Sequence, residues 1–481
     1  MSKIKVFTIN PKDNVAVALE DSTVPAGHKI ALTDISPGQH VIKYGSPIGS
    51  ATKQIRKGEH VHSHNLKTNL GEIEDYTYNT KNGVKGTSPL AVSEAEPHDF
   101  MGYRRKDGQV GIRNEIWIIN TVGCVNKIAE KIAQHSRQSN HPEVYTFVHP
   151  YGCSQLGDDH DYTQKVLANL VNHPNAAGIL VLGLGCENNN IEEFQKILGT
   201  WDDRRVKFLN AQDVNDDVAE GVKIVEQLAA NRDQSKREPI PISELIIGLK
   251  CGASDGLSGI TANPLVGRFS DAITAQGGSC LLTEVPEMFG AEALLMDRCV
   301  SEDVFDKTVG LINNFKRYFM RHGQEIYENP SPGNKEGGIT TLEEKSLGCT
   351  QKGGMYSEVT DVLSYGERLR CPGLILLDGP GNDIVAVTNL AAAGAHIILF
   401  TTGRGTPLGG PVPTVKVSSN TQLAQNKANW IDFDAGPFVR DSDELADRFY
   451  DYILRVASGE RAKNELNDYR EIAIFKDGVT L

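Results

Sequence analysis

The stretch Gly178-Ile-Leu-Val-Leu-Gly-Leu-Gly-Cys-Glu-Asn188 decides the fold class of this chain, because an apolar run ends there in a loop of glycine and cysteine. A helical pattern over residues 191–198 follows at once. The same succession occurs earlier, at residues 116–135 and at 144–171. Strand, loop and helix repeated in this order are typical of a parallel sheet with crossover helices. The sequence therefore predicts an α/β domain, which we place at residues 100–238.

The chain on either side of this domain has a different pattern. Residues 1–75 contain short β-branched or alternating runs between Pro- and Gly-containing turns, which predicts a small all-β domain. Residues 76–99 are polar and rich in turn residues, which is typical of a linker. Beyond a charged stretch that ends at Pro239, further buried-strand patterns predict a second α/β domain with a mostly parallel sheet. We place this C-terminal domain at residues 239–481.

Composition and charge exclude several classes of protein. The 481 residues include 49 Lys and Arg against 62 Asp and Glu, a formal net charge of −13. Broad surfaces for nucleic acid or anionic lipid are not expected, because like charges repel. The eight cysteines are too sparse for a disulfide scaffold, and the longest apolar runs fall short of the roughly twenty residues that span a bilayer. The sequence lacks a signal-peptide pattern, so we expect a cytoplasmic enzyme.

Four cysteines carry the strongest chemical signal. Cys124, Cys153, Cys186 and Cys251 each follow a predicted strand and have glycine neighbours. Ligands of parallel sheets bind beyond the carboxyl ends of the strands, so these thiols are predicted to line one crevice. Thiolates bind iron or zinc, whereas a cysteine is also tolerated at a tight strand end as a small apolar residue. The absence of any Cys-x-x-Cys pattern excludes a zinc ribbon.

Histidines provide a second signal. His60, His62 and His64 alternate, so on a strand they face the same side and are able to present their imidazoles to one metal ion or substrate. An exposed polar strand face is the alternative. His160 lies among aspartates at a predicted helix start, where the acids complement the helix N-terminus. A histidine in that setting is also a plausible base.

Several glycine-rich loops each carry one cation, and they contain Arg113, Arg268, Lys335 and Arg404. Backbone N–H groups with one Arg or Lys are suited to holding a carboxylate and hydroxyl groups. Solvated charges in ordinary turns are the alternative for any single loop. Four such loops in an acidic chain favour local sites for a small polyhydroxy acid.

Seven dispersed motifs match one known family: residues 27–34, 41–49, 151–160, 183–188, 255–264, 329–335 and 402–407. On these motifs the chain resembles the altronate and galactarate dehydratases over nearly its whole length. The resemblance implies that the N-terminal all-β unit is a SAF (β-clip) domain, joined to two α/β dehydratase domains. At residues 60–64 and 157–160 the sequence is similar to the altronate branch of the family.

The resemblance implies a hydro-lyase that dehydrates D-altronate to 2-dehydro-3-deoxy-D-gluconate by metal-assisted β-elimination, in galacturonate catabolism. It also implies dependence on Fe²⁺, with Mn²⁺ as a substitute. The four cysteines at strand ends leave an iron–sulfur cluster as the alternative cofactor. Galactarate dehydratase, another sugar-acid lyase of this family or a non-catalytic sugar-acid sensor remain the other candidate functions. The expected partner is a small sugar acid rather than nucleic acid or membrane, and homo-oligomer formation stays open.

Site residues follow from the same resemblance and from the motifs. We expect metal ligands at His62, His64, Cys153 and Cys186, joined by Cys124 and Cys251 if the cofactor is an iron–sulfur cluster. His160 and Glu284 are the candidate acid and base groups. The expected substrate-binding residues are Arg113, Asn188, Asn263, Arg268, Lys335 and Arg404.

Overall fold

The computed structural model of the chain describes residues 5–71, 73–78 and 99–481. The N-terminal module consists of short antiparallel strands in two small sheets, ordered β1-β2-β3-β6 and β4-β5-β7. Gly- or Pro-containing turns between the strands keep them short. The strands are β1 (Val6–Phe7), β2 (Val15–Ala18), β3 (Lys29–Ala31), β4 (His40–Lys43), β5 (Ser46–Ala51), β6 (His60–Val61) and β7 (Leu66–Lys67). Most of the predicted linker, residues 79–98, lies outside the described residues.

The second domain contains a four-stranded parallel sheet with the order β11-β10-β12-β13. Apolar runs such as Ile116–Ile119 are buried on both faces, as expected for a parallel sheet covered by helices. A strand pair precedes the sheet: β8 (Asp99–Arg104) and β9 (Val110–Gly111). The domain then runs through β10 (Glu115–Asn120), α1 (Asn126–Gln138), β11 (Val144–Phe147), α2 (Gly157–Val171), β12 (Ala176–Gly183), α3 (Ile191–Leu198), β13 (Val206–Asn210) and α4 (Asp217–Arg232).

The C-terminal domain contains a seven-stranded parallel sheet with the order β17-β18-β16-β15-β19-β20-β21. Strand β14 (Glu238–Pro241) precedes this sheet and pairs with β8, so the second domain begins and ends at one strand pair. The remaining elements are β15 (Ile246–Cys251), α5 (Ala262–Ala275), β16 (Ser279–Leu282), α6 (Glu292–Met296), α7 (Glu302–Arg321), α8 (Pro332–Glu336), α9 (Leu342–Cys349), β17 (Val359–Leu363), β18 (Gly373–Leu377), α10 (Asp383–Ala392), β19 (Ile397–Thr402), β20 (Thr414–Ser418), α11 (Thr421–Asn426), β21 (Phe433–Asp434), α12 (Ser442–Ala457) and α13 (Lys463–Leu466).

The predicted fold class, an all-β N-terminal domain followed by two α/β domains with mostly parallel sheets, is confirmed. One apolar cluster joins the two α/β domains, since Trp117 and Ile179 of the second domain pack in the same cluster as Leu390 and Ile398 of the C-terminal domain. Among the described helices, none combines the length and the apolar character needed to cross a membrane.

A buried ion-pair network attaches the N-terminal module to the C-terminal domain. Lys29 Nζ and Lys43 Nζ each lie 2.8 Å from a carboxylate oxygen of Glu344, on helix α9. All three side chains are at most 1% exposed. Burial alone would raise the pKa of Glu344, but the two ammonium groups lower it to about 2. Lys29 also donates to the carbonyl of Gly338 and to Thr340 Oγ1. The module is therefore held by charge pairing that water does not reach.

We predict that Glu344→Gln destabilises the protein by about 3–5 kcal/mol, because it leaves two buried ammonium groups without a carboxylate. Glu193→Gln is the matched control, since Glu193 pairs with Lys196 at the surface, where one pair contributes less than about 1 kcal/mol. Denaturant unfolding of the full chain measures both variants. Equal losses of unfolding free energy would contradict the role assigned to Glu344.

Candidate active site

Four imidazole rings lie together on the N-terminal module, and we call His28, His60, His62 and His64 the histidine cluster. Neighbouring ring centroids are 5.1–5.5 Å apart. Strands β3 and β6 pair with Lys29 opposite Val61, which brings His28 next to His60, with 3.0 Å between Nδ1 and Nε2. Burial, followed by the charges of neighbouring groups, lowers the pKa of His60 to about 4. The imidazole of His60 is therefore neutral at physiological pH.

The histidine cluster contacts the short helix α8 of the C-terminal domain. His28 Nε2 lies 3.0 Å from the carbonyl oxygen of Glu336, and His62 Nε2 lies 2.9 Å from that of Lys335. Arg404 donates hydrogen bonds to two groups of the same helix, the carboxylate of Glu336 (2.8 Å) and a backbone carbonyl. We call this meeting of helix α8, Arg404 and the histidine cluster the loop junction. Two of the four cation-bearing loops predicted from the sequence thus meet here.

The buried carboxylate of Asp255 holds the loops next to the loop junction through hydrogen bonds. Asp255 accepts hydrogen bonds from the hydroxyls of Ser419 and Ser258 at 2.8–2.9 Å, while burial raises its pKa. Asn334 of helix α8 donates to the carbonyl of Ser254 (2.8 Å). These bonds fix the loop after strand β15 against the helix that carries Lys335.

Beneath the loop junction lies a buried set of charged and sulfur-containing side chains. Lys250 forms ion pairs with Glu284 and with Asp383, the latter at 2.9 Å, and Lys352 pairs with Glu284 at 3.1 Å. Glu284 has a left-handed backbone (φ 71°), which is uncommon for a residue with a side chain and is concentrated at functional sites. We name this set the thiol–lysine cluster; it consists of Lys250, Cys251, Glu284, Glu287, Lys345, Cys349 and Lys352.

Two thiols of the thiol–lysine cluster are in contact, with 3.3 Å between Cys251 Sγ and Cys349 Sγ. Each sulfur lies 3.1–3.2 Å from the same oxygen of Glu287, and Lys352 Nζ lies 2.8 Å from Cys251 Sγ. Hydrogen bonding to Cys251 and burial raise the pKa of Cys349, so that it remains a thiol. Within the described residues, Cys251, Glu287 and Cys349 form the one group of three or more His, Cys, Asp or Glu side chains whose ligand atoms all lie within 4.8 Å of one another.

Polar contacts connect the thiol–lysine cluster to the loop junction. Lys345 Nζ lies 2.9 Å from Glu287 and 3.2 Å from Asn334 Oδ1 on helix α8. A cavity of about 10 Å³ beside this contact is lined by residues that include Tyr44 and Cys349. The carboxyl edge of the C-terminal sheet and the histidine cluster are thus joined through a few hydrogen bonds.

The remaining three predicted cysteines follow three neighbouring strands of the second domain, and we call Cys124, Cys153 and Cys186 the cysteine edge. All three are exposed. Asn188 Oδ1 accepts the N–H of Ser154 (3.1 Å), which ties the loops that carry Cys153 and Cys186. Their common position beyond strands β10, β11 and β12 agrees with the sequence expectation of a shared edge, whereas Cys251 lies on the other sheet.

The expected metal ligands do not converge as a single set. No three of the ligand atoms of His62, His64, Cys153 and Cys186 lie within 4.8 Å of one another in the described structure. The ring nitrogens of His62 are already in contact with Ser63 Oγ and with a backbone carbonyl. These four side chains therefore do not form one ready-made set of metal ligands in the described part of the chain.

Other predicted residues have varied placements. The Arg113 guanidinium is buried and paired with Glu465 at 2.6–2.8 Å, which gives it a structural role instead of the expected substrate-binding role. Asn263 is likewise buried and bonded to Thr401 and Gly348. Arg268 pairs with an exposed aspartate, Asp443, at the surface. The buried Nδ1 atom of His160, at the start of helix α2, has no hydrogen-bond partner among the described residues.

Comparisons with known proteins match every part of this architecture. Residues 21–69 match the altronate/galactarate dehydratase SAF domain, residues 102–233 the second domain of D-galactarate dehydratase/altronate hydrolase, and residues 242–480 the D-galactarate/altronate dehydratase C-terminal domain. The chain is 52% identical to the altronate dehydratase of Escherichia coli K12, over all of both chains. The chain belongs to the altronate/galactarate dehydratase family.

Two further relatives place the protein within this dehydratase family. It is 52% identical to the altronate dehydratase of Bacillus subtilis 168, with 98% of this chain and 99% of that protein covered. Identity to the galactarate dehydratase of E. coli K12 is 31%, with 97% and 96% covered. The protein is therefore a hydro-lyase, a dehydratase of sugar acids.

A buried histidine, His149, lies next to the cysteine edge of this dehydratase and was not predicted from the sequence. His149 is 2% exposed; its Nε2 bonds to the carbonyl of Asn120 (2.8 Å), and its Nδ1 accepts the N–H of Tyr151 (3.2 Å). Burial lowers its pKa from 6.5 to about 4. A histidine directly after a strand, before Pro150 and close to Cys153, is the signal that was available in the sequence.

We predict that the dehydratase loses stability as the pH falls from 6.5 towards 4. In that window the unfolded chain binds a proton at His149 that the folded chain does not bind, which costs about 2 kcal/mol at pH 5. The measurement is the difference in unfolding free energy between pH 7 and pH 5. His149→Gln should reduce this difference, and His135→Gln, at an exposed position of α1, should leave it unchanged. An unchanged difference in His149→Gln would contradict the prediction.

Proposed function

We propose that the protein dehydrates D-altronate to 2-dehydro-3-deoxy-D-gluconate, in the cytoplasmic catabolism of galacturonate. The observation that carries the proposal is the loop junction, where imidazoles lie beside Lys335 and Arg404. Full-length identity of 52% to two altronate dehydratases, against 31% to a galactarate dehydratase, favours altronate as the sugar acid.

The reaction removes the proton on C2 and the hydroxyl group on C3 of the sugar acid. The C2 proton is acidic only when the charge that develops on the carboxylate is stabilised. Arg404 and Lys335 are cations on exposed parts of the loop junction, so we assign them to the substrate carboxylate. Arg404 is held in place by its hydrogen bonds to helix α8. Its side chain therefore loses less conformational entropy when it binds the substrate.

An imidazole of the histidine cluster is the proposed acceptor of the C2 proton. Burial lowers the pKa values of His28, His60 and His62, so these rings are neutral at physiological pH. His64 is the exposed member of the cluster, and its ring lies 5.5 Å from that of His60. We therefore assign proton removal to His64, with the neighbouring ring of His60 positioning it. We assign protonation of the departing hydroxyl group to His160, because the other expected acid, Glu284, is buried and its carboxylate is taken up by ion pairs with Lys250 and Lys352.

Iron is the proposed cofactor, with manganese as a substitute. The cysteine edge fits iron by the chemistry of its donors, because three exposed thiols follow neighbouring strands of one sheet. The convergent group Cys251, Glu287 and Cys349 fits a cation less well, since the ammonium of Lys352 already contacts Cys251. We therefore propose Cys124, Cys153 and Cys186 as the residues that hold iron. When bound, the iron supplies Lewis-acid assistance to the loss of the C3 hydroxyl group.

The first experiment measures keto-acid formation from D-altronate and from galactarate, with and without added ferrous iron, on anaerobically purified protein. We expect altronate to be consumed faster, with turnover that depends on iron. Consumption of galactarate without turnover of altronate would contradict the proposal. Iron and acid-labile sulfide are measured on the same sample: sulfide indicates an iron–sulfur cluster, and stoichiometric iron without sulfide indicates mononuclear iron.

The second experiment replaces the proposed base. His64→Ala should lower kcat by roughly 100-fold or more, the usual effect of losing a general base, and should leave the unfolding midpoint unchanged because the side chain is exposed. His322→Ala is the matched control, since His322 is half-exposed and pairs with Asp477. A kcat of His64→Ala equal to that of the control would exclude His64 as the base.

A further inference from the structure

A large cleft lies at the opposite edge of the second domain from the cysteine edge. Its volume is about 920 Å³, within the range of small-molecule sites. Its lining residues are 104–107, 172, 177, 200–202, 204–205, 231, 234–236 and 238. Strands β12 and β13 begin at Ala176 and Val206, so this cleft lies at the amino ends of the sheet. None of the residues assigned above to the dehydration reaction lines it. We call it the basic cleft.

Positive charge exceeds negative charge in the basic cleft, although the whole chain carries a net charge of −13. Two of its cations are paired: Arg104 with Glu238 at 3.2 Å and Lys106 with Asp202 at 3.5 Å. Of the lining acids this leaves Asp107 to face the remaining cations. The lining cations are Arg104, Arg105, Lys106, Arg204, Arg205 and Lys236, and the lining acids are Asp107, Asp202 and Glu238.

Two of the arginines are held rigidly by neutral partners. Arg105 donates to the carbonyls of Pro174 and Arg113, each at 2.8 Å, and Arg205 donates to that of Ala176 at 3.1 Å. Burial and the neighbouring Arg205 charge lower the pKa of Arg105 to about 9. Arginine nevertheless stays charged at neutral pH. The fold therefore keeps two close positive charges in fixed positions. Neither guanidinium forms a direct ion pair in the described part of the chain, and the nearby carboxylate of Asp107 acts on both.

We propose that the basic cleft binds a small phosphorylated molecule with two or more negative charges. Fixed guanidinium groups match the oxygen geometry of phosphate, and the cleft has room for more than the phosphate groups themselves. Trp201 lines the same cleft, and it offers an aromatic surface to the rest of such a molecule. This site is separate from the proposed active site and does not depend on which sugar acid is dehydrated.

Calorimetric titration of the full-length protein with inorganic pyrophosphate, at constant ionic strength, tests this site. We expect saturable binding to the unaltered protein. Arg204→Glu/Lys236→Glu, two exposed positions of the cleft, should weaken binding at least tenfold. Lys223→Glu/Lys307→Glu is the control, because it changes the net charge equally at exposed lysines that do not line the cleft. The control should bind like the unaltered protein.

Dehydration is measured separately on both double variants, and we expect basal turnover within about twofold of the unaltered protein. If the protein does not dehydrate altronate, the pyrophosphate titration can still be interpreted, because the titration contains no sugar acid. Binding that does not saturate, or equal weakening in both double variants, would overturn the proposal. Tighter binding of citrate than of pyrophosphate, or binding of a single-stranded oligonucleotide without pyrophosphate binding, would also overturn it.

Discussion

The buried pairing of Glu344 with Lys29 and Lys43 is the interaction on which the proposed active site depends. One carboxylate receives two ammonium groups at 2.8 Å, each from the N-terminal module. A charge in this environment is costly unless its partner is present, so the module has one favourable position on helix α9. That position brings the histidine cluster onto helix α8, beside Lys335 and Arg404. The contact that attaches the N-terminal module to helix α9 therefore also assembles the loop junction.

Local positive charge within an acidic protein is a recurrent feature of the structure. In the thiol–lysine cluster, three lysines are compensated by carboxylates and by the sulfur of Cys251. At the loop junction, Arg404 is anchored by Glu336. In the basic cleft, by contrast, Arg105 is held by neutral groups. The buried lysines are thus neutralised by partners within the fold, whereas Arg105 keeps a positive charge that is held by neutral groups and not by a direct ion pair in the described part of the chain.

Sequence reasoning succeeded where the signal was local. Cys124, Cys153 and Cys186 do follow strands and Cys251 ends one, because an apolar run and its terminal glycine are read from neighbouring residues. It missed His28, Glu287 and Cys349, whose importance arises from contacts between distant segments. Arg113 shows the same limit: its loop has the composition of an anion-binding loop, yet its partner Glu465 lies 352 residues further along the chain.

The sequence by itself determined the fold class, the family and the side chains that stand at strand ends, because periodicity and motif spacing are properties of adjacent residues. Only the tertiary structure decided which of those side chains meet. It separated Cys251 from the other three cysteines by placing it on a second sheet, and it joined His62 to Lys335 across 273 residues. Such pairings depend on how whole domains pack, and packing is set by burial and charge compensation summed over the entire chain.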